Sequence, residues 1–410
     1  MKSLKKILFC TQSYITGGGG VASYAHDFVN AFNDQFDISV ITSDKYEKQQ
    51  EDTVDIYHIN GGNYSVDNAV RLLSLIDELK PDVIVNSSFP LIALVSPYIS
   101  NEIKIISVSH FVDGILSWYA GFNAQYTDRI ISLSSYGKVY LEKKFHIADN
   151  EKVKVVFNFM PEIAPRYEQK ENRKVLKIVY PGGCSYAKSA EVVCLALKRL
   201  LKTNLDFEFY WLGNTKIAGG GSNHFRTRHV EDCLPSDDRI KHIGPVPREE
   251  SKELLSDANI FLLPSRGEGF PITLIEAMRS GCIVIVSDAH HGCLDVIRDG
   301  ENGLVVRQGK SGDIVKKIAE VASQHEKYKY LYAASYMYYK EHLTQETWKN
   351  KMRDLIAMDA SHESRLPKFD ASSFKKDSNR LKRMLKSYWV KDRLHQLYHF
   401  LTFRWIRYCC

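Results

Sequence analysis

The sequence predicts an α/β chain of two tandem doubly wound domains, each a parallel sheet with helices on both faces, followed by a basic amphipathic helical extension. Three observations lead there. Short β-branched runs alternate with longer segments whose apolar residues recur every three or four positions, the alternation of βαβ units. The rhythm stops once, at a polar stretch containing Pro161 and Pro165, and then restarts. A length of 410 residues also exceeds what one hydrophobic core ordinarily serves.

In the first domain, residues 1–160, the strands are "KKILFC", "FDISVIT", "DVIVNSS", "KIISVSH", "RIISLSS" and "VKVVFN", with "SVDNAVRLLSLIDELK" an interleaved helix. Residues 161–174 read as a linker. The second domain, 175–360, carries "KIVYPGG", "FEFYWLG", "IKHIG", "IFLLPS", "IVIVSD" and "GLVV", and its last helix is expected to pack back on the first domain. Residues 361–410 are the extension. In doubly wound sheets ligands collect beyond the carboxyl ends of the strands, and two such domains facing each other enclose a cleft. Residues just past a strand are therefore the functional candidates.

Composition narrows the class. A hydrophobic content of 44% with 25% charged residues describes a globular chain rather than a disordered one. No run approaches the roughly 18 apolar residues of a membrane-spanning helix. "MKSLKKILFC" has too short an apolar run for a signal peptide and is followed by a polar "TQS". The eight cysteines show no metal spacing and no C-x-x-C pair, and Cys10, Cys184, Cys194 and Cys282 sit in apolar surroundings. Small core residues in a reducing, cytoplasmic compartment are expected.

The most informative stretch is "PSRGEGFPITLIEAMRSG", residues 264–281. "IFLLPS" is a strand, "RGEG" a turn, and Pro271 fits the first position of a helix that Gly281 stops. The amides around Ile272, Thr273 and Leu274 then face the crevice and, with the helix dipole, suit a phosphate. Glu276, about one turn on, would reach a hydroxyl-bearing part of the same ligand, and Glu268 its other end. A diphosphate flanked by a ribose and a sugar fits: a nucleotide sugar. Two surface glutamates near a helix start are the competing explanation of this segment, which by itself leaves both open.

Four further positions bear on the choice. "ITGGGGVASYAHDFVNAF" puts a glycine run, including Gly19 and Gly20, between the first strand and a helix, as close backbone approach to a ligand requires. It matches neither G-x-G-x-x-G nor G-x-x-x-x-G-K-[ST], so no dinucleotide or ATPase fingerprint applies. Lys188, in "YPGGCSYAKSAEVV", follows the first strand of the second domain and can offset diphosphate charge. His110 ends "KIISVSH", where it can donate to a sugar hydroxyl or serve as a satisfied core imidazole. No two aspartates are separated by a single residue, so the Asp-x-Asp metal clamp is missing, and no cofactor or metal is expected. A departing diphosphate would then rely on lysine and backbone amides.

Together these segments resemble the family 4 retaining glycosyltransferases of GT-B fold, from about Ile7 to Leu355. "GGVASY", "SVSH", "VVFNFMPE" with Asn158, "PSRGEGFPITLIEAMRSG", "HHGCLDVI" and "DGENGLVV" carry the resemblance. It implies that Glu276 binds the ribose hydroxyls, that Glu268 meets the transferred sugar, and that Lys188 binds the diphosphate under Gly19 and Gly20. His110 would contact the sugar. Gly182, Arg266, Gly269, Phe270, Ile272, Thr273 and Leu274 would complete the donor site. Retention, by front-face attack with the departing phosphate taking the acceptor's proton, is likewise implied by the family. One departure stands out: where the family reads Gly-Arg-x-x-x-x-Lys, this chain has Gly183 in place of the arginine, with Arg266 as a candidate substitute.

The extension is strongly basic. Between Phe374 and Cys410 ten Lys/Arg face only Asp377 and Asp392, whereas the whole chain carries +6. Leu381, Leu385, Tyr388, Trp389, Leu394, Leu397, Leu401 and Trp405 fall broadly along one helical side. An interfacial helix on an anionic leaflet and a helix docked onto the protein are both compatible with this pattern. Nucleic acid is not an expected partner, since no recognition motif accompanies the charge. Cys409 and Cys410 form no prenylation box.

The function expected is transfer of a sugar from a nucleotide donor to a growing glycan or lipid-linked saccharide, in surface polysaccharide or lipopolysaccharide synthesis, at the cytoplasmic face of the membrane. Two alternatives stand beside it. A nucleotide-sugar epimerase would turn over donor without acceptor. A catalytically inactive nucleotide-sugar-binding scaffold, which Gly183 favours, would bind donor without releasing nucleotide.

Overall fold

A computed structural model describes residues 5–15, 19–46, 53–111, 114–164, 167–170, 175–183, 187–213, 235–289 and 292–406, with side chains up to Lys391 apart from 248 and 249. Cys184, Cys409, Cys410 and the side chains of Leu394, Leu397, Leu401 and Trp405 lie outside that description. The chain divides into two compact units, Met1–Phe157 with Trp348–Val390, and Asn158–Thr347 with Lys391–Cys410.

The first unit holds strands β1 (Lys6–Thr11), β2 (Asp37–Thr42), β3 (Asp55–His58), β4 (Val83–Ser87), β5 (Lys104–Ser109), β6 (Arg129–Ser132) and β7 (Val153–Val155). All pair in parallel in the order β3-β2-β1-β4-β5-β6-β7. Seven strands replace the six expected. The addition, β3, is a half-exposed edge strand without the continuous apolar run that marks a strand covered on both faces. Ser65 caps the Val66–Leu79 helix by accepting from the Asn68 amide, and Leu72 and Ile76 turn its apolar stripe inward.

The second unit holds β8 (Leu176–Tyr180), β9 (Phe207–Leu212), β10 (Ile240–Gly244), β11 (Ile260–Leu263), β12 (Ile283–Ser287) and β13 (Leu304–Val306), in the parallel order β10-β9-β8-β11-β12-β13. Both sheets reverse direction of growth once, between β1 and β4 and between β8 and β11. Those switch points open crevices at the strand carboxyl ends. Trp211, Phe207, Phe209 and Tyr180 fill the core of this unit against the Ala190–Leu200 helix.

The C-terminal region departs from a free extension beginning at 361. The Gln345–Ala357 helix sends Trp348 against Phe28 and Phe32 of the first unit, with ring centroids 6.0 and 5.4 Å apart. The following segment is strapped down by buried polar groups. Asp128 accepts from the Ser361 amide at 2.7 Å and from His362 Nδ1 at 2.8 Å, while Arg365 donates to the Ser100, Ile103 and Tyr126 carbonyls. The Ala371–Ile406 helix then buries Phe374 and Leu381 in the core of that unit, with Met384 and Leu385 packed alongside. The apolar stripe through Leu385 is thus committed to the protein, the docked-helix alternative of the two that the sequence leaves open. Removing residues from 374 onward would open this core. Among the described residues no helix is long and apolar enough to cross a membrane.

Candidate functional site

At the β8/β11 switch point the loops following those two strands carry oppositely charged side chains that meet. Lys188 Nζ lies 2.6 Å from Glu268 Oε1. Glu268 is only 8% exposed while the Lys188 side chain keeps 30% of its surface, so a buried carboxylate is paired with a partly solvated ammonium. A backbone bond joins the two loops, the Arg266 amide donating to Ala187 O at 2.8 Å, and the Tyr180 hydroxyl ties the Lys188 loop to β8 by donating to Lys188 O at 2.9 Å. Ser189, next to Lys188, is a fully buried non-glycine residue at φ 57°, in the sparsely populated left-handed region. Such a conformation costs on the order of 1–3 kcal/mol and persists only where its surroundings impose it. Here it aims the lysine immediately before the Ala190–Leu200 helix.

Gly182 follows β8 where a methyl group would lie 2.2 Å from the Tyr180 ring, so no larger residue fits without moving that ring. Gly183 comes next. Arg266 is paired with Glu191, a buried acid in the first turn of the Ala190–Leu200 helix. The expected substitute for the family arginine is therefore engaged by an acid of its own.

Beyond Glu268 come Gly269 and Phe270, both buried, and the Phe270 carbonyl accepts from Asn158 Nδ2 at 2.9 Å. The helix begins at Ile272. Pro271 is its N-cap rather than its first residue, because a ψ of 124° leaves it extended. Leu274 is the second correction. Its amide donates to Pro271 O at 3.0 Å and is not open to a ligand. Ile272 and Thr273 remain, half-exposed at a helix start that no side chain caps. Glu276 lies one turn further on, 8% exposed. Cys293, wholly buried, lies close enough to Glu268 and Lys188 to feel both charges, and burial raises its thiol well above its usual range. Among the described residues no three His, Cys, Asp or Glu side chains gather as a metal site would need.

The first unit carries a second group at its own strand ends. His110 Nε2 lies 2.8 Å from Ser87 Oγ, which ends β4. The Tyr24 ring stands edge-on to the imidazole at 4.9 Å. Part of His110 reaches solvent, yet protein surrounds the ring closely enough to push its pKa down to about 4, so it is neutral at pH 7. Ser88 follows at φ 61°, buried. Gly19 has φ 89°, a conformation glycine adopts without strain, and starts the Gly20–Phe32 helix with open space beside both glycines. Ser87, Ser189 and Glu191 escaped the sequence reading. The one available signal was their position at a strand end or a helix start.

The model for glycosyl transferases group 1 matches residues 163–337, and that for glycosyltransferase family 4 matches residues 18–161. The chain is a family 4 glycosyltransferase. An uncharacterized glycosyltransferase of Haemophilus influenzae is 23% identical over 342 residues, covering 79% of this chain and 92% of that one. A lipopolysaccharide 1,6-galactosyltransferase of Salmonella typhimurium is 32% identical over 116 residues, 28% of this glycosyltransferase and 32% of the relative. Among solved structures, Anabaena HepE in complex with UDP-glucose aligns with a TM-score of 0.69 at 14% identity, over 86% of this chain and 99% of its own. The lipopolysaccharide outer core galactosyltransferase WaaB aligns at 0.65 and 18%, over the same 86% and 99%. The glycosyltransferase thus has the GT-B fold, two Rossmann-like units in one chain.

Proposed function

We propose that this glycosyltransferase moves a sugar, with retention, from a nucleotide-diphosphate donor to a growing glycan or lipid-linked saccharide, without a divalent ion. It would act in surface polysaccharide or lipopolysaccharide synthesis at the cytoplasmic face of an anionic membrane. The relatives named for lipopolysaccharide, colanic acid and amylovoran synthesis support the pathway class. The observation that carries the donor site is the Lys188–Glu268 pair at the β8/β11 switch point, beside the uncapped start of the Ile272 helix.

In the reaction, the bond between the sugar's anomeric carbon and the diphosphate oxygen breaks, and the acceptor oxygen bonds that carbon on the same face. The acceptor's proton passes to the departing phosphate. Negative charge grows on the diphosphate, where Lys188 and the Ile272 and Thr273 amides lower its energy. Donor diphosphate draws Lys188 from Glu268, whose freed carboxylate accepts from hydroxyls of the transferred sugar. Glu276 accepts from the ribose. Neutral His110, held by Ser87, donates to a sugar hydroxyl. Mass spectrometry of products formed from a panel of nucleotide sugars and lipid-linked acceptors tests this reading.

Two results follow. Glu276→Ala removes a charged hydrogen-bond acceptor and is expected to weaken donor binding roughly tenfold or more; isothermal titration with the donor would expose an unchanged Kd. EDTA is expected to leave turnover intact, and a loss restored by Mg²⁺ or Mn²⁺ would contradict the metal-free reading.

A further inference from the structure

Docking of the C-terminal helix leaves an outer face of one sign. Lys375, Lys376, Arg380, Lys382, Arg383, Lys386 and Lys391 are exposed, and half-buried Asp377 is the only acid from Phe374 to Lys391. Phe374 and Leu381 anchor the inner face, so the cations cannot turn away from solvent. Arg380 stacks on the Phe122 ring at 5.4 Å. It also borders a cavity of about 760 Å³ with Lys144, His146 and Lys152, against Asp149 and Glu363.

The helix has a direction as well as a charge. Phe122 lies at the end of the Ile115–Gly121 helix and Gly114 at its start. The Tyr388 hydroxyl reaches Gly114, and the Tyr388 ring meets Trp118 at 5.7 Å. The C-terminal helix therefore runs antiparallel to that helix and arrives beside the loop that follows β5, the same end of the sheet as His110. Trp389 and Val390 stand about half exposed there, at 50% and 51%.

From this placement we propose that the outer face of the Ala371–Ile406 helix, Lys375 to Lys391, seats the first unit on an anionic lipid surface with its His110 end toward the headgroups. This deepens the preceding reading, since a lipid-linked acceptor would then be met where it resides. As far as Leu385 the apolar stripe is spent on the core, so attraction over residues 375–391 is mainly electrostatic, with Trp389 and Val390 as shallow anchors. That predicts salt-sensitive binding instead of the salt-resistant insertion of a free amphipathic helix. Each Lys or Arg near such a leaflet contributes roughly fivefold to partitioning.

The full chain is sedimented with phosphatidylcholine vesicles with and without phosphatidylglycerol, across a salt series. Binding only to the anionic vesicles, reversed by salt, is expected. The K375E/K376E/R383E/K386E variant should lose roughly 100-fold or more in partitioning, whereas arginine at the three lysine positions should retain it. The milder K375E/K376E variant gives an intermediate loss, and melting temperatures check that both fold. Binding to neutral vesicles, absence of binding to anionic ones, indifference to the substitutions, or preference for RNA or a protein over lipid would each overturn the proposal. Donor titration on the unsubstituted chain reports the second unit independently: there, donor binding without lipid binding sinks only the membrane surface, and lipid binding without donor binding sinks only the transferase site.

Discussion

Lys188→Ala is expected to lower turnover by roughly 10²–10³-fold, the cost of removing one preorganised donor from a developing oxyanion. The reason lies in the charge balance of the β8/β11 crevice. Among the described residues, Arg266 is drawn to Glu191, and Gly183 brings no side chain, so Lys188 is the cation best placed to meet a leaving diphosphate. Steady-state kinetics on purified Lys188→Ala, alongside Lys188→Arg, checks this. The arginine variant should recover part of the rate, because it keeps the charge while changing reach and geometry. A rate within a few-fold of wild type for the alanine variant would remove Lys188 from the transition state. Removing the lysine also leaves the buried Glu268 carboxylate without this partner, so melting temperatures accompany the kinetics to separate lost turnover from lost stability.

The second large effect is on folding. Asp128→Ala is expected to destabilise the protein by about 3–5 kcal/mol, the penalty for leaving a buried charge without its partner. Asp128 is 1% exposed and Arg365 4%. Besides Ser361 and His362, the carboxylate accepts from the Ile105 amide at 2.8 Å and from Arg365 at 3.3 Å. Burial by itself would raise the Asp128 pKa, but the bonds from His362 and the two amides prevail and hold it below the usual carboxylate range. Burial lowers the Arg365 pKa to about 10, which still leaves the guanidinium charged at pH 7. Because the folded state lowers the carboxyl pKa, its stabilisation is present above the ordinary carboxylate value and disappears as pH falls through the folded one. Urea titrations at pH 7 and at acid pH check both parts: the deficit of Asp128→Ala should shrink toward acid. Equal stability of the two proteins at pH 7 would contradict the assignment.

What the sequence could reveal divides along physical lines. Strands such as "KIISVSH" and "IVIVSD" are legible because burial on both faces of a parallel sheet demands unbroken apolar runs. Ser65 before an apolar stripe announces the Val66–Leu79 helix by local capping chemistry. Pro271 and the helix after it are visible to within one residue, the scale on which ψ of a proline decides cap from first turn. Lys188 and Glu268 can be singled out individually because each follows a strand. Their meeting at 2.6 Å depends on two loops 80 residues apart, which no local pattern encodes. The same limit explains Asp128 and Arg365, separated by 237 positions, and the burial of Leu381. An amphipathic stripe states that an apolar face needs covering and is silent on whether lipid or protein covers it.

The division of the chain also has a consequence for synthesis. The second unit's sheet and covering helices fall in the continuous stretch Asn158–Thr347, whereas the first unit needs Met1–Phe157 together with Trp348–Val390. On the ribosome the later-encoded sheet can therefore close before the earlier one. The first 157 residues must wait, without Trp348, Arg365 or Phe374 to cover them, until the whole of the second unit's sheet has been translated. At roughly 5–20 residues per second that interval lasts tens of seconds, during which apolar surface of the nascent first unit stays uncovered.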